Sequence, residues 1–270
     1  MKGRGRDAAG AWAVLLLATG VLFCPASIAG QEIEDELARI DEGWATLVVE
    51  VREGVEVCDR GIRWYGEDGE RRGHWHGDGV GEDRCDAGPL QLDFQVLEGR
   101  VEKIEAGRVS QRAGARKLTS QSPVEVSDYL VGMAYHGASD DAAEEGLFLS
   151  RLPRGADPTQ GILRVAQDRD LSSEVRKSGL FWAGQLATEV VVAPLRAVAV
   201  EEEEDQELRD AAVFALSQHQ GDAATPALME LALEAPHPGT RRSAMFWLAQ
   251  RDDPEVADFL ADVIMGRRGG

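Results

Sequence analysis

"AAVFALSQ", residues 211–218, has close counterparts in "SGLFWAGQ", residues 178–185, and in "SAMFWLAQ", residues 243–250. Arginine, phenylalanine and glutamine recur in register around these phrases, at spacings of 33 and then 32 residues: Arg176, Arg209 and Arg241; Phe181, Phe214 and Phe246; Gln185, Gln218 and Gln250. Repetition at such a period is typical of stacked helix pairs. Each phrase is therefore predicted to form the first helix of a unit. The second helices are predicted in "TEVVVAPLRAVA", "AATPALMELAL" and "PEVADFLADVI".

The predicted first helices are apolar around most of their circumference. In the first unit, Val175, Gly179 and Ala183 share a stripe with Trp182, which indicates a helix buried between its neighbours. We expect the phenylalanine column to stack along the axis of the array, each ring filling the gap to the next unit. Trp182 and Trp247 are expected to belong to the core.

The phrases "EVRKSGLFWAGQ", "ELRDAAVFALSQ" and "TRRSAMFWLAQ" resemble HEAT-like repeats, particularly the short type found in bacterial secreted proteins. In that family an acidic and an apolar residue precede the arginine. Glu174 and Glu207 keep the acid, whereas the third unit has Gly239, which weakens any acid–arginine ladder there. The resemblance covers about residues 158–266 and implies an α-solenoid. It leaves the role open, because this fold serves scaffolds, inhibitors, transport factors and chromophore lyases.

Two roles are open for the arginine and glutamine columns. One is a ligand-binding ridge along an edge of the solenoid. The other is structural, with arginines pairing to acids and glutamine amides satisfying helix-end carbonyls between units. We favour the structural role, because columns in repeat proteins mostly serve the interface between neighbours.

The N-terminal half has the period-two patterning of β-strands. "ATLVVEV", residues 45–51, alternates and is rich in β-branched residues. In "PLQLDFQVLEGRVEKIEA", residues 89–106, alternate apolar side chains share one face and Glu98-Gly99 makes a turn. This pattern predicts a hairpin with one buried face. The glycine-rich, charged residues 66–85 are predicted to form a long loop.

A helical pattern begins at Ser122, where Ser122, Pro123 and Glu125 form the signature of a capped helix start. The predicted fold is mainly α, and α+β overall: a short HEAT-like α-solenoid preceded by a small disulfide-bonded β-domain. Its predicted parts are a signal peptide, a small β-rich domain, a helical connector and the solenoid, at residues 1–30, 31–121, 122–157 and 158–270.

Two of the three cysteines, Cys58 and Cys85, follow the predicted signal peptide. An even pair in an oxidising compartment predicts one disulfide, which closes a loop of about 27 residues. The alternative of a catalytic thiol is disfavoured, because no CxxC or Cys/His signature accompanies either residue.

The N-terminus has the pattern of a signal peptide. Basic residues in "MKGRGRD", residues 1–7, precede the apolar run at residues 11–23, and cleavage is expected after Ala29 or one residue later. An uncleaved anchor is the alternative, although the run is shorter than the ~20 residues of a membrane span. The formal net charge of −19 disfavours nucleic acid and anionic lipid as partners, because both would be repelled.

Few residues suggest a metal-binding or catalytic site. His74 and His76 in an extended segment could hold zinc or copper, with Asp78 or Asp83 adding an oxygen. The acidic run at residues 201–205 lacks the spacing of a calcium loop and is predicted to be a solvated turn. No nucleophile motif or phosphate-binding loop occurs, so we expect neither catalysis nor a cofactor.

We therefore predict an exported, non-catalytic scaffold, periplasmic or extracellular, without a membrane span once the signal is cleaved. It binds another protein through the acidic surface of the second helices and the turns between units. One alternative is a metal-binding envelope protein that uses His74 and His76. The other alternative is an enzyme with its site between the two domains.

Overall fold

The computed structural model describes residues 30–59, 61–65 and 84–267, together with the backbone of residues 71–76. The predicted signal peptide, apart from residue 30, lies outside these residues. Within them the chain is α+β, as predicted: strands occupy the N-terminal part and a helical array follows. No helix of this described part is long and apolar enough to cross a membrane.

The N-terminal part contains a short helix and two four-stranded sheets. The helix is α1 (Gln31–Leu37), and the strands are β1 (Glu42–Val49), β2 (Val55–Cys58), β3 (Gly61–Tyr65), β4 (Arg71–His76), β5 (Cys85–Asp86), β6 (Leu90–Leu97), β7 (Arg100–Arg108) and β8 (Arg116–Lys117). The sheets have the orders β7-β6-β1-β8 and β4-β3-β2-β5. The loop prediction for residues 66–85 is wrong at β4, which pairs antiparallel with β3. Residues 71–76 pair with the strand just before them in the chain, and this pairing outweighs their weak strand pattern.

Strands β6 and β7 form the predicted hairpin. Glu98 and Gly99 make its turn with φ of 52° and 75°, the left-handed pair that a tight hairpin turn needs. The prediction of a single buried face is wrong, because Gln91 and Asp93 are buried on the other face as well. A later segment covers them: Arg112 donates a hydrogen bond to Asp93 at 2.9 Å.

Cys58 and Cys85 form a disulfide between β2 and β5. The two cysteines are register partners in the antiparallel pair, and Cys58 is fully buried. The bond therefore links two adjacent strands of the second sheet whose cysteines are 27 residues apart in the chain.

The helices begin at local capping signals. At the predicted start, the Ser122 hydroxyl accepts from the Glu125 amide while the Ser122 amide donates to the Glu125 carboxylate, which is the expected capping box. The helices are α2 (Pro123–Gly132), α3 (Asp140–Leu149), α4 (Thr159–Gln167), α5 (Ser173–Gly184), α6 (Val192–Val200), α7 (Gln206–Gln218), α8 (Ala224–Glu234), α9 (Pro238–Leu248) and α10 (Pro254–Ile264).

The helices stack in two layers. The predicted first helices α5, α7 and α9 pack side by side, and α3 extends this layer on the N-terminal side. Helices α2, α4, α6 and α8 form the second layer. The helical connector joins two apolar cores: Leu147 of α3 belongs to the core of the array, whereas Phe148 belongs to the core that includes the sheets.

Candidate partner-binding surface

The first-helix layer carries a row of aromatic rings in mutual contact. We call this row the aromatic strip; from the sheets outward it comprises Trp64, Phe148, Trp182, Phe181, Phe214, Trp247 and Phe246. Neighbouring ring centroids lie 4.8–6.3 Å apart. These are the distances of attractive aromatic pairs. The strip thus connects β3 to α9 along one side of the molecule.

The phenylalanine column is only partly as expected. Phe181 and Phe214 are stacked at 6.3 Å, but the ring beyond Phe214 is Trp247, at 4.8 Å, and not Phe246. Trp247 follows Phe214 by 33 residues, which is also the spacing from Phe181 to Phe214. Contact along the array therefore keeps the 33-residue period, and Phe246 is turned outward.

The rings do not fill a buried gap between units. Phe181 is 37% exposed and Phe246 is 56% exposed. Trp182 and Trp247, expected in the core, are half-buried and lie where the apolar core meets the surface. Exposed aromatic side chains in a contiguous row are unusual for a solvated face and are enriched in protein interfaces.

The arginine column holds neighbouring elements together. Arg176 pairs with Glu204 and also reaches the carbonyl of Ala166 at the end of α4. Arg209 donates to the carbonyls of Glu201 and Glu204 after α6. Arg241 does the same for the carbonyl of Ala235 after α8, at 2.5 Å. These contacts favour the structural role, because they satisfy the free carbonyls that follow each second helix.

The acids before the arginines do not form a ladder with them. Glu174 and Glu207 both accept hydrogen bonds from Lys177, at 3.0 and 2.6 Å, so a lysine bridges α5 and α7 at the edge of the strip. The prediction of a solvated turn at residues 201–205 is wrong at Glu204, which is buried by its pairing with Arg176.

The glutamine column is exposed at all three of its positions. Within the described structure these amides donate one hydrogen bond, from Gln218 to the Ser217 hydroxyl at 3.3 Å. The expected bonds to helix-end carbonyls of neighbouring units are therefore absent from the described part of the chain. Arginine has taken over that role.

A groove of about 530 Å³ lies between α3 and α5, at the N-terminal end of the layer. Three rings of the aromatic strip contribute to it: Phe148, Trp182 and Phe181. Its other side chains are mainly acidic, namely Asp141, Glu144, Glu145 and Glu174, with Lys177 at the far edge. The groove thus combines apolar rings with an excess of carboxylates.

The carboxylates of α3 are poorly compensated. Burial raises the pKa of Glu145 to about 7, against the opposing attraction of Lys103. Its Oε1 is buried and has no hydrogen-bond partner. Burial also raises the pKa of Glu144, and the nearby charges of Asp141 and Glu174 add to the effect. Burial is the main cause of both shifts, because it takes the charged carboxylates out of water without supplying hydrogen-bond donors in return.

A second cleft, of about 670 Å³, separates β6 and β7 from α3. It occupies the place that the enzyme alternative requires, between the sheets and the helices. Arg112 lies in this cleft and pairs with both Asp93 and Glu105. Glu145 borders this cleft too, but the described residues that line it include no histidine or cysteine to act as a base or nucleophile.

His74 and His76 lie in β4, opposite Arg63 and Gly61 of β3. Being two residues apart in a strand, they belong to the same face of the sheet. Their side chains lie outside the described part of the structure, and the side chains inside it form no group of three suitable metal ligands. Metal binding by these histidines stays a prediction.

Comparison with known families bears on the helical array alone. Residues 161–248 and 192–266 match a family model described as HEAT repeats. The matched segments run from α4 to α10, so the predicted resemblance is confirmed for this part of the chain. Such an array suggests a scaffold for protein interactions. No curated protein matches the chain.

Proposed function

Because residues 161–266 form HEAT repeats, we propose that the protein is an exported, non-catalytic scaffold that binds another protein through its aromatic strip. The observation that supports this proposal is the exposure of Phe181 and Phe246 at 37% and 56% in a row of touching rings. Aromatic side chains, phenylalanine among them, are enriched in protein interfaces relative to the rest of the surface. We therefore propose a partner-binding surface on the first helices, and not on the second helices as expected from the sequence.

Export is supported by two features of the chain. One is the basic and then apolar N-terminus, residues 1–23, followed by Ala29 as a cleavage position. The other is the Cys58–Cys85 disulfide, a bond that persists in oxidising compartments. Mass spectrometry of the native protein tests the proposal: a mature N-terminus at residue 30 or 31 supports it, and an intact Met1 in a cytosolic fraction contradicts it.

The binding surface can be located by photo-crosslinking in the source cells. A photoreactive phenylalanine analogue replaces Phe246 in one variant and Glu234 in another; Glu234 is exposed at the end of α8, in the second layer. We expect a discrete protein adduct from position 246 and none from position 234. An adduct from position 234 alone would return the surface to the second helices. No adduct from either position would contradict the scaffold role.

A further inference from the structure

We propose that the groove between α3 and α5 binds an arginine side chain of the partner protein. This inference rests on the proposed scaffold function and specifies the chemistry of its ligand. The two ends of the strip then have different roles: the exposed Phe246 ring of α9 provides apolar contact, and the groove at the α3 end recognises charge.

The floor of the groove suits a flat cation. Phe181 is 37% exposed and meets the Trp182 ring edge-on at 4.8 Å, whereas Phe148 is 3% exposed and packs between Trp64 and Trp182. A guanidinium group stacks on such rings, and its aliphatic stem covers apolar surface. The Trp182 ring is already covered by the Arg151 guanidinium, 4.7 Å from the ring centroid, so Phe181 is the ring that an entering arginine would contact.

The wall of the groove has little counter-charge, because Lys103, which attracts Glu145, is paired with Glu105 at 3.3 Å. Glu144 and Glu145 form no ion pair within the described structure, and Oε1 of Glu145 is buried without a hydrogen-bond donor. Lys177 does not compensate them, because it already bridges Glu174 and Glu207. A guanidinium offers several N–H donors in a fixed plane, which is the geometry that carboxylates accept best. An entering arginine would supply both the charge and the donors.

Charge complementarity excludes other occupants. A carboxylate or phosphate would meet the acids of α3 and α5 at short range, in a protein whose net charge is already −19. A neutral apolar side chain would leave the buried carboxylate oxygen without a partner, which costs free energy. A hard metal cation prefers a shell made entirely of oxygen atoms, and aromatic rings form part of this groove.

The test uses a fluorescein-labelled peptide of alternating leucine and arginine, and the same peptide with citrulline, which keeps the shape of arginine without its charge. Fluorescence anisotropy with the mature protein measures both affinities in the presence of a chelator. We expect the arginine peptide to bind at least about tenfold more tightly, as removing a charged partner from a partly buried site implies. Equal affinities would overturn the proposal, and so would tighter binding of a matched lysine peptide.

The double variant Glu144→Gln/Glu145→Gln locates the binding. It removes two charges that the fold disfavours, so we expect it to be at least as stable as the wild type. Its affinity for the arginine peptide should fall about tenfold. The matched control Glu202→Gln/Asp258→Asn removes two exposed charges elsewhere and should change affinity less than about twofold. Equal losses in the two variants would show unspecific attraction to an acidic protein and overturn the proposal.

The same anisotropy assay tests the contribution of the aromatic floor of the groove. Phe181→Ala should weaken binding of the arginine peptide, whereas Phe246→Ala, at the opposite end of the strip, should not. Different results would contradict the arginine site and the scaffold function. A crosslinked partner from position 246, combined with no arginine preference, would refute the groove alone. Arginine-specific binding without any crosslinked partner would refute the scaffold role and leave the groove as a site for basic peptides.

Discussion

Arg176 of α5 donates two hydrogen bonds to the carboxylate of Glu204, and the two side chains are only 5% and 7% exposed. Glu204 lies in the turn before α7, so the ion pair joins the first repeat unit to the second. The same guanidinium also reaches the carbonyl of Ala166 at the end of α4. One buried arginine therefore links three consecutive parts of the array.

Replacing Glu204 by glutamine is expected to lower the free energy of unfolding by about 3 kcal/mol at pH 7, because a buried guanidinium loses its counter-charge. Urea denaturation followed by circular dichroism measures the difference. The control is Glu203→Gln, since the Glu203 side chain is 81% exposed where it meets Arg169. An exposed pair of that kind contributes at most about 1 kcal/mol. Similar losses in the two variants would contradict the structural role of the Arg176–Glu204 pair.

The contribution of Glu204 should depend on pH. The hydrogen bond from Arg176 lowers the pKa of this carboxyl below its ordinary value of 4.5. A depressed pKa in the folded state stabilises the protein above the ordinary pKa, and the stabilisation disappears as pH falls through the folded value. The stability difference between wild type and Glu204→Gln should therefore shrink progressively below pH 4.5. A difference that stays constant down to pH 2 would show that charge is not its cause.

Close approach of α5 and α7 makes a second position sensitive. A Cβ atom on Gly184 would lie 2.5 Å from the carbonyl oxygen of Ala215, a backbone atom that cannot move aside alone. Gly184→Ala should therefore lower the free energy of unfolding by about 1–3 kcal/mol, the usual effect of overpacking. Gly132→Ala is the matched control, because its Cβ would meet only the His136 ring, at an ordinary 3.5 Å. That variant should be neutral or slightly more stable, since alanine favours helix.

The elements that could be predicted from sequence are those with local signals. Ser122 and Glu125 are three residues apart and form their capping box without help from the rest of the fold. Glu98 and Gly99 make their turn by their own backbone preferences. The repeat could be recognised because the same stripe of buried residues occurs in each first helix, as with Val175 and Leu208.

The features that could not be predicted depend on contacts between units. Glu204 looks like any other acid of an exposed run, and its burial is due to Arg176, 28 residues earlier. Phe246 and Trp247 are adjacent, and the rotation of α9 against α7 decides which ring continues the strip. The groove could not be predicted either, because α3 supplies three of its four acids and α5 two of its three aromatic side chains. Neither segment alone contains a recognisable motif.

The disulfide is expected to stabilise the sheets and not the helical array. Cys58→Ala/Cys85→Ala releases a 27-residue loop, and the chain-entropy model gives a loss of about 3 kcal/mol. Hydrogen exchange followed by mass spectrometry should show faster exchange in β2 and β3, with α7 and α8 protected as before. Equal acceleration in both regions would show that the two cores unfold as one unit.

Glu145 should make the protein less stable as the medium becomes more basic. Its pKa is raised by burial from 4.5 to about 7, so the folded state holds its proton more tightly than the unfolded state does. Stability from this group is complete below pH 4.5 and is lost as pH rises toward 7. Lys103 attracts the charged form of Glu145, while Asp141 and Glu144 lie beside it in the groove.

Glu145→Gln removes the charge, and it should raise the free energy of unfolding by about 2 kcal/mol at pH 8 and leave it unchanged at pH 4. Urea denaturation at both pH values measures the effect, with Glu202→Gln as the exposed control. A gain of the same size at pH 4 would show that the carboxyl is unfavourable even when protonated, and that its burial without a donor, not its charge, is the cause.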